Sequence, residues 1–119
     1  MRPQEYTLIG RHLQDNNRRT EAIRHYKAAV ALNPLRSEAH QTLGVAYHTA
    51  AELSAAAASY MQSIELAPAS ALLACYNLGA LQASQSRTAE ARALFEQALV
   101  ISPGHAAATA ALAALQGSA

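Results

Sequence analysis

The sequence has little of what stabilises small secreted proteins, anchors membrane proteins or attracts nucleic acids. Its 119 residues include a single cysteine, Cys75, which excludes an intramolecular disulfide and indicates a reducing compartment. The formal net charge is only +1, which argues against a nucleic-acid partner held by bulk electrostatics. Polar residues interrupt the alanine-rich stretches, which are too short to span a bilayer.

The N-terminal segment also lacks a targeting signal. Residues 1–5 have no apolar run behind their positive charge, so we expect no signal peptide, no membrane partner and a cytoplasmic location. The charge is nevertheless uneven along the chain. Residues 1–36 carry seven basic and three acidic side chains, whereas residues 37–119 carry two basic and five acidic ones.

Motifs for catalysis or metal binding are scarce as well. No serine, histidine and acid arrangement and no glycine-rich phosphate loop stands out, so the sequence predicts no enzyme and no cofactor. No two histidines have same-face i, i+4 spacing on one predicted helix, so we predict no metal site; the histidines are His12, His25, His40, His48 and His105.

What the sequence does contain is a repeat. The stretch of residues 22–34 returns at 56–68 and at 91–103, each time with an aromatic residue near its centre and a proline at its end. Upstream of each copy stands an aliphatic residue followed by Gly10, Gly44 or Gly79, and these glycines lie 34 and then 35 residues apart. A repeat of this length indicates one supersecondary unit stacked three times.

The residues between the repeat signals predict an all-α fold. Strand-favouring clusters are absent, and apolar residues recur at helical spacing. We expect Thr20, Ser37 and Ser70 to act as N-caps and an asparagine of residues 16–17 to end the first helix in the left-handed conformation. The seven helices are predicted at about 4–16, 21–32, 37–50, 53–66, 71–84, 88–101 and 106–116.

The three glycines have a predicted role in packing. Glycine inside a helix lowers stability by about 1 kcal/mol relative to alanine, so its recurrence at the same position of each repeat needs a structural reason. The simplest reason is that the paired helix approaches so closely at this point that a methyl group would clash. Tyr26, Tyr60 and Phe95 then fill the space beside that point.

These recurring residues resemble the tetratricopeptide repeat, a helix–turn–helix unit of about 34 residues. The family pattern has a bulky opener, Leu-Gly, a tyrosine-like residue, an alanine, an aromatic residue, an alanine and a proline. The matching positions are Tyr6, Ile9, Gly10, Leu13, Ala22, Tyr26, Ala29 and Pro34; His40, Leu43, Gly44, Tyr47, Ala56, Tyr60, Ser63 and Pro68; and Cys75, Leu78, Gly79, Gln82, Ala91, Phe95, Ala98 and Pro103. The departures are mild: tryptophan is absent, and Gln82 replaces an aromatic residue.

The resemblance implies a right-handed α–α superhelix, with repeats at about 3–36, 37–70 and 71–105 and a capping helix at about 106–116, in a single domain. It also implies a non-enzymatic adaptor or scaffold that holds a peptide-like segment of a partner protein in a concave groove lined by the first helix of each repeat. Carried over by position, the partner-binding residues are Thr7, Arg11, Gln41, Val45, His48, Leu73, Tyr76 and Asn77.

Chaperone-binding members of the family resemble one another in a carboxylate clamp. The matching positions here are Thr7, Arg11, Thr42, Leu73 and Asn77, of which only Arg11 could meet a carboxylate. The sequence therefore argues against binding of a chaperone's acidic C-terminus. Tyr76 is the first choice as an aromatic anchor, because the other four tyrosines fall at packing positions.

Two further features leave alternatives open. Arg18, Arg19, Arg24 and Lys27 form a basic cluster, whose usual meaning is a solvated face and whose alternative is an acidic partner. The last predicted helix has only Thr109 as a polar residue between Ala106 and Leu115. The alternative function is therefore a self-associating module, a homo-oligomer through this helix, or a repeat segment of a larger protein such as a glycosyltransferase.

Overall fold

The computed structural model describes residues 1–117 of the chain, and all regular structure in that part is α-helical. The helices are α1 (Pro3–Asp15), α2 (Arg19–Leu32), α3 (Ser37–Thr49), α4 (Leu53–Leu66), α5 (Leu72–Ser84), α6 (Thr88–Ile101) and α7 (Ala106–Gly117). This confirms the predicted all-α fold, with helix bounds that differ from the predicted ones by one or two residues. No helix in the described part has the length and apolar character of a membrane span.

The chain forms two compact units. The first, Met1–Leu66, contains α1–α4, in which α1 packs on α2, α2 on α3 and α3 on α4. The second begins at Ala67 and contains α5, α6 and α7, which pack in that order. Buried core residues of the first unit are Leu13, Ala22, Tyr26, Leu43 and Ala46. Buried core residues of the second are Cys75, Leu78, Leu81, Phe95 and Ala108.

Within each helix pair, the glycine of the first helix meets the aromatic ring of the second. A Cβ atom on Gly10 would lie 2.7 Å from Cε1 of Tyr26, and one on Gly44 would lie 2.7 Å from Cδ1 of Tyr60. A Cβ atom on Gly79 would lie 2.7 Å from Cε1 of Phe95. These distances are far below van der Waals contact, so the geometry confirms that the glycines permit close approach of the paired helices.

The turn inside each helix pair is a Schellman motif with one left-handed residue. After α1, the amide of Asn17 donates to the carbonyl of Gln14 at 3.0 Å, and that of Arg18 donates to Leu13 at 2.8 Å. Asn17 has φ 63°, which confirms the predicted asparagine at this helix end. The same turn follows α3 and α5, where Ala51 (φ 61°) and Ser86 (φ 63°) hold the left-handed position.

The predicted N-caps are wrong. Arg18, Arg36 and Ala71 occupy the N-cap positions of α2, α3 and α5, without side-chain capping bonds. Ser37 is instead the first residue of α3, and its hydroxyl lies 2.7 Å from the carbonyl oxygen of Ser63 and 2.8 Å from the Ser63 hydroxyl. That hydroxyl therefore connects α3 to α4, and a tertiary contact has replaced the local one.

Some apolar side chains of α1 and α7 are not buried in the core. In α1, Ile9 is 38% exposed, whereas Gly10 and Leu13 are buried. In α7, Ala108 is buried and Leu112 and Leu115 are half-buried. The exposed surface of the described part of α7 is largely alanine, in agreement with the weakly polar character expected of it.

The glycine contact can be tested in the second unit. Substitution Gly79→Ala should lower the free energy of unfolding by about 1–2 kcal/mol, because a 2.7 Å approach to the Phe95 ring places the overpacking cost at about 2–3 kcal/mol and the gain in helix propensity offsets about 1 kcal/mol. Urea denaturation followed by circular dichroism measures the change. The matched control is Gly104→Ala, since a Cβ atom there meets nothing within 4 Å; a neutral Gly79→Ala variant would contradict the account.

A substitution at the left-handed turn residue should stabilise the fold, whereas Gly79→Ala should destabilise it. Ala51→Gly should raise the free energy of unfolding by about 0.5–1 kcal/mol, because the left-handed conformation costs an alanine about 1–2 kcal/mol and glycine's extra chain entropy offsets part of it. The control Ala50→Gly should destabilise, since Ala50 has φ −84°. Equal effects of the two substitutions in thermal unfolding would refute the role of the left-handed position.

Candidate functional site

The residues predicted to contact a partner lie on α1 and α3 of the first unit and on α5 of the second. In the first unit, α1 and α3 flank an open cavity of about 260 Å³, the α1–α3 cavity. Thr7 and Arg11 of the predicted set line it. The other residues of its lining are Pro3, Gln4, Leu8, Ala29, Asn33, Arg36, Glu38, Ala39 and Thr42.

One face of α1 forms a wall of this cavity. Gln4, Thr7, Leu8 and Arg11 recur at i, i+3, i+4 and i+7, which places them on one side of a helix. Leu8 is 61% exposed, so the wall offers a large apolar side chain. Leu8 is not among the predicted partner-binding residues, although its helical spacing from Gln4 and Arg11 places it on the same face.

The charges at the α1–α3 cavity leave one cation without a counterion. Arg36 pairs with Glu38, with Nη2 and Oε2 3.1 Å apart. Arg11 is exposed and belongs to none of the three ion pairs within residues 1–117. The hydroxyl of Thr7 donates to the carbonyl of Pro3 at 3.1 Å and keeps its acceptor capacity. The cavity can therefore accept a carboxylate at Arg11 and a donor at Thr7.

Arg11 also acts on the core beneath it. Burial raises the pKa of the Tyr26 phenol, the Arg11 guanidinium lowers it, and the Asp15 carboxylate raises it. Arg11 directly follows Gly10, whose Cβ position meets the Tyr26 ring. The wall of the cavity and the packed ring therefore belong to one local structure.

The remaining predicted residues of α3 do not line this cavity in the described part of the chain. Gln41, Val45 and His48 are half-buried. Nδ1 of His48 lies 3.3 Å from the hydroxyl oxygen of Tyr60, and the two rings meet edge to face at a centroid distance of 6.1 Å. His48 thus supports the packing of α3 on α4, and its contact with a partner stays a prediction.

The aromatic residue and its polar partner change together along the chain. His48 lies four residues after Gly44, and the equivalent positions after Gly10 and Gly79 are Gln14 and Ala83. Each of these residues is paired with the aromatic residue of its own repeat: Gln14 with Tyr26, His48 with Tyr60, and Ala83 with Phe95. The Tyr26 hydroxyl donates to Oε1 of Gln14 at 3.0 Å. In the third repeat the aromatic residue is Phe95 and its partner is Ala83. Neither side chain has a polar atom, so the pair leaves no buried polar group unsatisfied.

In the second unit, α5 presents the three other predicted residues. Leu73 is 54% exposed and Asn77 is half-buried. The half-buried Tyr76 ring packs against Phe95 and His105 at centroid distances of 5.7 and 5.4 Å. Nδ1 of His105 accepts the amide hydrogen of Ala108 at 3.2 Å. Tyr76 therefore joins α5 to both α6 and the start of α7, and its role as an anchor for a partner stays a prediction.

The metal-ligating side chains and the single thiol of the described residues are spread apart or buried. Within residues 1–117, no three His, Cys, Asp or Glu side chains are grouped so that they could hold a metal ion. Cys75 is fully buried, and burial raises the pKa of its thiol. The thiol therefore stays protonated at neutral pH and lacks the electropositive surroundings of a nucleophilic cysteine.

The sequence matches two models of one protein family. A tetratricopeptide repeat model matches residues 7–71, and a second tetratricopeptide repeat model matches residues 72–105. No protein of curated function matches the sequence significantly.

Solved structures resemble the fold closely. The first TPR domain of Spaghetti (RPAP3), bound to the HSP90 peptide SRMEEVD, has a TM-score of 0.91 at 18% identity, over 98% of this chain and 92% of that chain. The Arabidopsis OM64 TPR domain has a TM-score of 0.90 at 20% identity, over 98% and 96%. MamA has a TM-score of 0.90 at 24% identity, over 98% and 67%. At these identities the likeness shows the fold, and it confirms the predicted all-α repeat solenoid.

The buried thiol can be tested by alkylation. Because the folded state favours the protonated thiol, Cys75 should react with iodoacetamide only as fast as the chain unfolds, and its reaction should accelerate in urea. The raised pKa also means that its contribution to stability is present below the unfolded thiol's pKa and is lost as pH rises through the folded pKa. Mass spectrometry follows the labelling; native labelling at the rate of free cysteine would contradict the burial.

Proposed function

Because the chain belongs to the tetratricopeptide repeat family, which makes it a protein–protein interaction module, we propose that its α1–α3 cavity binds an extended segment of a partner protein. The observation that carries this proposal is the combination of an exposed apolar side chain, Leu8, with a cation, Arg11, on one open wall. An apolar contact beside a few placed polar groups is the usual composition of a binding site.

Structural neighbours support a peptide as the partner. The first TPR domain of Spaghetti (RPAP3) is bound to the HSP90 peptide SRMEEVD, and the second TPR domain of human RPAP3 is in complex with the HSP70 peptide SGPTIEEVD. The latter resembles this chain with a TM-score of 0.84 at 19% identity. The same fold therefore carries peptides in other proteins, and we extend peptide binding, but not these peptides, to this chain.

The charges of the site indicate a different peptide. Of the five positions that match the carboxylate clamp, Arg11 alone is a cation. We propose that the partner segment places one carboxylate on Arg11 and an apolar side chain against Leu8. The proposal includes no catalytic step. In the second unit, Leu73, Tyr76 and Asn77 remain predicted contacts, and self-association through α7 remains the alternative.

Peptides selected from a random-peptide phage library supply the probes; the selection uses a chain that carries Arg24→Glu and Lys27→Glu, because those two cations line a different cavity. Arg11→Ala should weaken their binding by roughly tenfold, because a hydrogen bond to a charged group contributes about 1.5–3 kcal/mol. Fluorescence anisotropy of labelled synthetic peptides measures the affinity, and circular dichroism verifies that the variant is folded. The peptide SRMEEVD should not bind.

The matched control is Arg92→Ala, since Arg92 is an exposed cation of α6 outside every ion pair of the described residues. It should bind the selected peptides like the wild type. A Leu8→Ser variant tests the apolar half of the site independently of charge. If the selected peptides bind Arg11→Ala and Leu8→Ser as tightly as the wild type, the α1–α3 cavity is not the binding site.

A further inference from the structure

A second and larger depression lies on the first unit, between α2 and α4. It consists of a cavity of about 800 Å³ and a neighbouring one of about 350 Å³, and both are lined by Lys27, Tyr47 and Ala55. The two cavities adjoin at these shared residues, and together they are called the α2–α4 groove. None of its lining residues lines the α1–α3 cavity, so it is a separate surface.

On the α4 side, the groove is lined by Leu53 at the start of the helix and then by small side chains, which are Ser54, Ala55, Ala58 and Ser59. The half-buried ring of Tyr47, on α3, contributes to both cavities. Half-buried Ile23 and Val30 of α2 complete an apolar lining. Such a trough can bury apolar side chains of a partner.

The α2 wall carries two cations without counterions. Arg24 and Lys27 are three residues apart, and both are exposed and line the groove. Neither belongs to the three ion pairs within residues 1–117. Arg18, earlier in the same basic cluster, is instead neutralised by Glu21 at 2.7 Å. The groove contains one acidic side chain, Glu52, just before the start of α4. Its charge is therefore positive along α2.

We propose that the α2–α4 groove binds an acidic amphipathic segment of a protein partner. Apolar side chains of the segment pack over Tyr47 and against Ile23, and carboxylates on one flank pair with Arg24 and Lys27. The first unit then holds two segments, one at the α1–α3 cavity and one at the α2–α4 groove. The proposal gives Arg24 and Lys27 of the basic cluster a role, which a solvated face would not.

The apolar lining favours a protein over a nucleic acid. A phosphate backbone is held by many cations, and two neighbouring cations above an apolar trough supply few phosphate contacts. Protein interfaces, in contrast, combine an apolar centre containing tyrosine with a charged rim. The arrangement of Tyr47 beneath Arg24 and Lys27 has that composition.

The test isolates this groove from the α1–α3 cavity. A random-peptide phage library is selected on the Arg11→Ala chain and counter-selected on the same chain carrying Arg24→Glu and Lys27→Glu. Peptides that survive depend on the α2–α4 groove. They should be rich in Asp or Glu and apolar residues, and synthetic copies should bind the charge-reversed chain at least about tenfold more weakly in fluorescence anisotropy.

Two further variants separate binding from folding. Ala58→Leu fills the groove at an exposed helical position, so it should abolish binding while the urea midpoint stays close to that of the parent chain, since leucine is nearly as good a helix former as alanine. Arg19→Glu changes an exposed cation of the same helix outside the groove lining and should bind normally. The proposal is overturned if no peptides survive, if the survivors lack acidic residues, or if Ala58→Leu binds them unchanged.

Discussion

The contact between a helical glycine and the aromatic ring of the next helix is the constraint on which each helix pair depends. At Gly10, Gly44 and Gly79 the ring lies where a methyl group would be, so the two helices of a pair approach closely. The ring then sits in the core, and its hydroxyl, where present, needs a partner. The pairs Gln14–Tyr26 and His48–Tyr60 satisfy that need, and Ala83–Phe95 removes it.

The sequence predicted the helices, their pairing and this contact, because all three recur and recurrence marks them as structural. It did not predict how single polar side chains are used. Ser37 has the composition of an N-cap, yet its hydroxyl contacts Ser63, since a tertiary partner 26 residues away was within reach. His48 and Tyr76 have the phase of binding residues, yet each packs on an aromatic ring of the neighbouring helix. Spacing fixes which face a side chain occupies but not what lies opposite it.

The candidate binding surfaces lie where the copies differ. Arg11 in α1 corresponds by phase to Val45 in α3, so the cation at the α1–α3 cavity belongs to the first repeat alone. Likewise Arg24 and Lys27 of α2 correspond by phase to Ala58 and Met61 of α4, so the cations of the α2–α4 groove belong to the first repeat alone. The repeated contact fixes the helix pairs, and the unrepeated side chains give the first unit two surfaces of different shape.

The central claim is that recurring residues hold the fold and differing residues bind. Amide chemical shifts of the wild-type chain, recorded with and without a peptide selected on it, test this most directly. The account predicts the largest changes at Thr7, Leu8, Arg11 and Thr42 for a peptide that depends on Arg11, with amide exchange at Gly10 and Tyr26 remaining slow. Changes centred on the glycine–aromatic positions, or spread evenly over all helices, would contradict it.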